Sequence, residues 1–415
     1  MEREESRFSV VNIGPPIEGS AIFRSFLMDD SDTKVYLGGG GVYRSEQGKP
    51  VVLDVVKNVK KRIVSDAALN HEYLPELGLD SFTRAATELL LGPQSYAVIQ
   101  GLAFSIQCIG STGALRIGAD FLRSCLQYSV VYCSNPSPEK HNNIFMRAGF
   151  TTVSSFRYWK PGNYSVDMEG LLNDLNEAPK DSVIILQVCG HNPTGCDPTR
   201  SEWMQIADII EKQQLFPFFE CYSLGLASGN IDVDAWPVRY FADRGFEFMC
   251  TQSFSANFGL YNERVGNLTF VVKDASVVIP IRSQFSLLAR ESFSSPSSHG
   301  ALIVANILNN HELRENWKVC LYEMSKRILD MRQGLQDCLE RFGTPGKWNH
   351  LSSQSGMFSY TELSHQQVDY LSKSCHVYLP KSGCINICGL NEKNLKHVAI
   401  SINQAVIRFP RIEKN

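Results

Sequence analysis

The 12 cysteines of this 415-residue chain, scattered from Cys108 to Cys388, include no Cys-x-x-Cys pair. That spacing argues against a zinc site and against a disulfide framework, and for reduced, mostly buried thiols. A charge excess is missing too: 40 Lys and Arg against 43 Asp and Glu leave a net charge of −3 at pH 7. Such a balance gives no electrostatic reason for nucleic acid or an acidic membrane as partner. No stretch approaches the roughly 18 apolar residues of a membrane helix. The opening MEREESRFSVVNIGPP has no cationic start followed by an apolar core, so a secretory signal is not expected. Asn163-Tyr-Ser and Asn267-Leu-Thr are then read as chance matches to glycosylation sequons. The expectation is a soluble, cytoplasmic protein. One absence is local: no lysine occurs between Lys212 and Lys273.

Hydrophobic residues make up 43% of the chain and charged residues 20%, ordinary values for a globular α/β protein. Five short apolar, β-branched runs read as strands: SVVYCSN (129–135), SVIILQVC (182–189), FPFFEC (216–221), FEFMCTQSF (246–254) and GNLTFVV (266–272). Between the second and third, Thr199 can cap a helix whose Trp203, Ile206 and Ile210 share one face. Strand, helix, strand with near-continuously apolar strands predicts a mostly parallel sheet covered on both faces. Further on, Trp317, Leu321, Met324, Ile328, Met331, Leu335, Leu339 and Phe342 form one helical stripe, stopped by GTPG at 343–346. A helix of that length suits a link between two lobes. Strand-like CHVYLP (375–380), then CINICGL (384–390), and a final amphipathic helix from near Asn391 follow.

The stretch QSFSANFGLYNERVGN (252–267) reads as a strand ending in Ser253-x-Ser255, a tight apolar turn, and a lone Arg264. This is the pattern of a phosphate cup. Gly110, Ser111, Thr112 and Gly113 stand just before a helical run, where backbone N–H groups and hydroxyls suit a phosphate. GHNPTG (190–195) brings His191 and Asn192 to the carboxyl end of a strand, and Glu220 ends another. Each feature alone has a structural reading as a capped helix, a turn or an ion-pair partner. Together they suit a phosphorylated aromatic cofactor, with its phosphate on the glycine loop and Arg264, a ring hydroxyl near Asn192 and a ring nitrogen facing Glu220.

NHEYLPELGL (70–79), GSTGALRIGADFL (110–122), HNPTGCDPT (191–199), LASGNIDVDAW (226–236) and NFGLYNERVGNL (257–268) resemble signatures of the aspartate aminotransferase family of fold-type I pyridoxal-phosphate enzymes, cytosolic branch. The resemblance runs over nearly the whole chain. It implies an N-terminal arm (1–16), a small domain built from both chain ends (17–46 and 323–415) and a large cofactor-binding domain (47–322). It implies that Gly110, Ser111, Thr112, Ser253, Ser255 and Arg264 hold the phosphate of pyridoxal 5′-phosphate, with Tyr73 reaching it from the other subunit of a homodimer. Asn192 would bond the phenolic oxygen and Glu220 would face the ring nitrogen. Arg290 matches the arginine that grips a dicarboxylic substrate across the interface, Gly41 the loop that closes over it, and His141 and His191 two supporting histidines.

The same resemblance exposes departures. Ala256 stands where the family has the Schiff-base lysine, so a bound cofactor is expected to be non-covalent. Cys384 replaces the arginine of the substrate α-carboxylate, Pro138 the tryptophan stacked on the ring, Ser223 the tyrosine at the phenolic oxygen, and Gln187 a third histidine. Tyr222 is adjacent to Ser223 and expected to face away. One glycine is added in LGGGGVY. Loss of the general base alone removes roughly 10²–10⁴ in rate. The expectation is a catalytically impaired aspartate aminotransferase-like protein. The alternatives are an active transaminase, with Tyr222 as a substitute base, and a non-catalytic subunit of a heterodimer with an active paralogue.

Overall fold

The structure, a computed structural model, describes residues 6–38 and 40–410. The first five residues of the expected arm and Gly39 of the glycine run lie outside the described residues. At the centre is a seven-stranded sheet. Its strands in chain order are β1 (Ala103–Ile109), β2 (Val130–Asn135), β3 (Thr152–Arg157), β4 (Val183–Gln187), β5 (Phe216–Cys221), β6 (Phe248–Ser253) and β7 (Val265–Val271), arranged β1-β7-β6-β5-β4-β2-β3. Strands β3, β2, β4, β5 and β6 pair in parallel, whereas β7 is antiparallel to both β6 and β1.

All five expected strands are present, and the mostly parallel, helix-covered sheet is as expected. Only β7 runs against the rest. The connection from Ser253 to Val265 is too short to carry a crossover helix, so the chain turns back on itself, and that turn is the Ser-x-Ser…Arg segment. Strands β1 and β3 had no reading in the sequence. β1 alternates apolar Phe104, Ile106 and Cys108 with Ser105 and Gln107, whose buried polar groups bond to Thr87 and to the backbone of Leu79 and Ser297; β3 is an edge strand with half its residues exposed.

Burial on both faces shows in adjacent residues of β5. Phe218 packs in one core with Phe121, Phe145 and Phe270, while Phe219 packs in the other with Trp203 and Phe241. Helix Arg200–Lys212 starts with a full capping box between Thr199 and Glu202, and buries Trp203, Ile206 and Ile210 as its spacing predicts. The long helix spans His311–Arg341 and buries the predicted stripe from Trp317 to Leu339. Trp317 Nε1 donates to the Asn257 carbonyl at 2.7 Å, so this helix is tied to the turn after β6. Its fully buried Arg332 donates to the carbonyls of Leu351, Ser355, Gly356 and Phe358, with no carboxylate in the set. The clamped segment crosses β4's outgoing loop at glycine: a Cβ on Gly356 would lie 2.8 Å from the Gly190 Cα. The chain ends meet where Val35–Tyr36 pairs in parallel with Val377–Tyr378. Among the described residues no helix is long and apolar enough to cross a membrane.

Candidate active site

The site is assembled where β1, β2, β4, β5 and β6 end. At its phosphate end, β1 runs directly into helix Gly110–Ser124, whose N-cap, Ile109, offers no side-chain acceptor to the first-turn N–H groups. Gly110 has φ +68°, and a Cβ there would lie 2.5 Å from Arg264 Nη2. Only glycine permits both the turn and this approach. Ser111 is buried and Thr112 exposed. Opposite them, Ser255 N donates to Ser253 Oγ at 3.3 Å, and Arg264 Nη1 reaches Ser255 Oγ at 3.5 Å and the Tyr261 carbonyl at 2.9 Å. A helix N-terminus, two serine hydroxyls and a guanidinium thus converge on one spot, a cradle suited to a phosphate.

The ring end is charged. Glu220, 1% exposed at the end of β5, receives His141 Nε2 on Oε2 at 2.8 Å and Lys140 Nζ on Oε1. Burial favours its protonation, but Lys140 and His141 outweigh that and hold the carboxyl well below the ordinary range. His141 Nδ1 lies 2.9 Å from Ser137 Oγ, which continues the chain of contacts. His191 stacks on Tyr158 at 3.9 Å between ring centroids and bonds Ser134 Oγ and Thr194 Oγ1 at 2.9 and 2.8 Å. Burial lowers its pKa to about 3, so it is neutral. Sequence reading missed Lys140, although it lies between Pro138 and His141, both of which it had placed.

Between the two ends stand Ala256, Ser223 and Tyr222. Ala256 is 4% exposed and its methyl group carries no function. Ser223 is fully buried, with an Oγ that has no hydrogen-bond partner among the described residues. Tyr222 donates its hydroxyl to the Gly190 carbonyl, and burial raises its pKa well above the usual value. Its hydroxyl is thus engaged with the backbone next to His191. Gln187 takes a positioning role: its amide donates to the Asn192 carbonyl at 2.9 Å and accepts from Asn192 N at 2.7 Å. Asp197, which no sequence reading singled out, accepts from the N–H groups of Gly190 and His191 at 2.7 and 2.9 Å and from Ser355 Oγ. The 226–236 signature is structural. Asp234 accepts from the backbone N–H groups of Gly225, Ala227 and Ser228 and so fixes the loop after β5.

At the substrate end, Cys384 is buried and its thiol donates to the Pro193 carbonyl at 3.6 Å. Burial pushes that thiol up to about 12, so it is neither a carboxylate partner nor a reactive thiolate. Gly41 has φ +59° and packs by Phe358. Tyr73 and Arg290 are not gathered into this site within one chain. Tyr73 is 83% exposed, and Arg290, at the end of helix Val278–Ser292, contacts Ser294 and, at 3.8 Å, Glu76.

A phosphate cradle and a buried carboxylate at the strand ends of an α/β sheet mark the class of proteins that hold a phosphorylated ring cofactor. The sequence model of the aminotransferase class I and II family matches residues 34–402, and the chain belongs to that family. It is 48% identical to the cytoplasmic aspartate aminotransferase of Gallus gallus over 409 residues, 97% of this chain and 99% of that protein. To the cytoplasmic aspartate aminotransferase of Caenorhabditis elegans it is 47% identical, covering 97% and 98%. The cytoplasmic aspartate aminotransferase of Saccharomyces cerevisiae superposes with a TM-score of 0.94 at 38% identity, covering 97% and 99%. The aromatic-amino-acid aminotransferase of Burkholderia pseudomallei, solved covalently bound to pyridoxal phosphate, superposes at 0.93 with 36% identity, covering 97% and 100%. The chain is an aspartate aminotransferase-like protein, and pyridoxal phosphate is the cofactor this kinship indicates. Its residues fit that group unequally. The phosphate end fits, while Ala256 stands in a segment with no lysine between Lys212 and Lys273, and the ring-end carboxylate already carries two donors.

Proposed function

We propose that this chain holds pyridoxal or pyridoxamine phosphate without a covalent bond and transaminates weakly or not at all. Ala256 carries the reading. When bound, the cofactor supplies an electron sink for carbanion chemistry. A side-chain base must still move the proton at the substrate α-carbon, and no lysine occurs between Lys212 and Lys273 to do it. Family membership alone fits an active aspartate aminotransferase equally well; Ala256, the anchored Tyr222 and the neutral Cys384 favour impairment. In this reading Gly110, Ser111, Thr112, Ser253, Ser255 and Arg264 grip the phosphate, Asn192 and Ser223 lie at the phenolic oxygen, Glu220 serves the ring, and Gly41 belongs to the closing loop. The arm, small and large domains keep the limits 1–16, 17–46 with 323–415, and 47–322; pairing of Val35–Tyr36 with Val377–Tyr378 supports joining both chain ends.

The test is the absorbance spectrum of purified protein incubated with pyridoxal phosphate, with and without aspartate, then desalted. Retained colour that borohydride does not fix to the chain is the expected result. Borohydride attachment at a lysine, or turnover of aspartate with 2-oxoglutarate at ordinary enzymatic rates, would reject the reading.

A second reading rests on Tyr73 and Arg290. Both are exposed, and the Arg290–Glu76 contact puts them on neighbouring segments of one surface. Their exposure supports a role toward a neighbouring subunit, either a second copy in a homodimer or an active paralogue in a heterodimer. Co-expression with an active aspartate aminotransferase should yield mixed dimers; exclusive self-association counts against the heterodimer.

A further inference from the structure

The ring end of the cup holds a cation that the proposed function does not use. Lys140 opens helix Lys140–Arg147, and its Nζ pairs with Oε1 of Glu220, whose other oxygen is bound by His141 from the next residue. Both carboxylate oxygens are therefore engaged from a single helical turn. Four ionisable neighbours of Glu220 are uncharged. Burial pushes Cys133 up to about 12, raises Tyr222 and Cys250 well above their ordinary values, and lowers His191 to about 3. The Lys140 side chain is 35% exposed, whereas that of Glu220 is 1% exposed.

We propose that Lys140 takes the seat on Glu220 that a protonated ring nitrogen would occupy, so that the site selects a phosphorylated pyridine whose ring nitrogen is unprotonated. This rests on the proposed non-covalent binding of such a ligand in the cup. Oε1 can accept a second hydrogen bond, but the ammonium already on it repels a pyridinium, a second cation. A neutral ring nitrogen is itself an acceptor. An ammonium has three N–H donors, and one suffices for Glu220. The hydrogen bond at the ring nitrogen is thereby reversed: the protein donates and the ring accepts. An unprotonated ring is also the weaker electron sink, in keeping with a site that has lost its lysine at Ala256.

The test uses full-length protein with ¹⁵N-labelled pyridoxamine phosphate, reading the ring-nitrogen chemical shift at neutral pH and the Kd by fluorescence titration. Wild type should bind the ring unprotonated. Lys140→Met should bind it protonated and about tenfold more tightly, a one-unit shift in ring basicity. Lys140→Arg, which keeps the charge, should behave as wild type. A protonated ring in wild type would overturn the proposal even if Lys140→Met did not fold; so would an unchanged shift and Kd in a folded Lys140→Met. If binding occurs and Arg264→Ala abolishes it, but the ring is protonated, the Lys140 proposal alone falls. If folded wild type and Lys140→Met both fail to bind, the cup reading falls and this proposal falls with it.

Discussion

The two ends of the site differ in how they are built. The phosphate end is made mainly of backbone: a helix N-terminus, a glycine at φ +68° and a guanidinium folded over it. The other end depends on side chains at single positions, and those positions now hold Ala256, Ser223 and Cys384. A cradle shaped largely by the course of the chain is weakened rather than erased by one substitution. A catalytic amine can be erased. Ala256 carries no amine, while the buried turn around it is packed and tied by Trp317 to Asn257.

The largest effect that would sharpen this contrast is chemical. Ala256→Lys should restore a borohydride-reducible bond to pyridoxal phosphate but leave aspartate turnover low, because Cys384 cannot pair with a carboxylate. Adding Cys384→Arg should raise kcat/KM by roughly 10²-fold or more over the single variant, the worth of a charged hydrogen-bonded pair of about 2–5 kcal/mol. Full activity from Ala256→Lys alone would break the comparison.

At the backbone-built end, Arg264→Ala should weaken binding of pyridoxamine phosphate by roughly 10–100-fold, the loss of a charge-assisted contact. Gly110→Ala should do similar damage, since its methyl group would push the guanidinium aside at a cost of about 1–3 kcal/mol. Isothermal titration reads both, and an unchanged Kd would mean that the cup has lost its role.

The charged ring end predicts a pH dependence. The folded pKa of Glu220 lies below its unfolded value, so its contribution to stability is fully present above about pH 5 and is lost as pH falls through about 4.3 toward the folded value. Lys140→Met should therefore lower stability at pH 7 by about 1–2 kcal/mol, less than a fully buried pair because Lys140 is partly exposed and His141 remains. The difference from wild type should shrink on acidification in chemical denaturation series. A constant difference from pH 7 to pH 3 would mean that the pair does not set it. Smallest of all, Thr199→Ala on the scaffold should cost about 1 kcal/mol by loss of the cap and leave the ligand Kd unchanged.

Much of the scaffold was legible because its signals are local. Five near-continuously apolar runs became strands, the Thr199 cap began its helix, and the stripe from Trp317 to Leu339 became the buried face of His311–Arg341. β1 and β3 escaped notice because one buries polar residues satisfied only by distant partners and the other is a half-exposed edge. At the site, the cup was read from Ser253, Ser255, Arg264 and the Gly110 loop, because glycine and hydroxyl spacing constrain the backbone itself. Lys140 was not, because an exposed-looking lysine at a helix start gives no sign of the carboxylate it will meet 80 residues later.

By itself the sequence determined the sheet strands, the long helix, the glycine and hydroxyl spacing around Gly110 and Ser253, and the absence of any lysine between Lys212 and Lys273. These follow from periodicity, from backbone-specific residues and from a residue type that is either there or missing. Tertiary structure alone decided that β7 reverses, that Tyr222 is anchored to Gly190, that Arg332 is spent on carbonyls, and that Lys140 neutralises Glu220. Each of these is a contact between segments far apart in the chain, and its free energy depends on burial and distance, which no local pattern encodes.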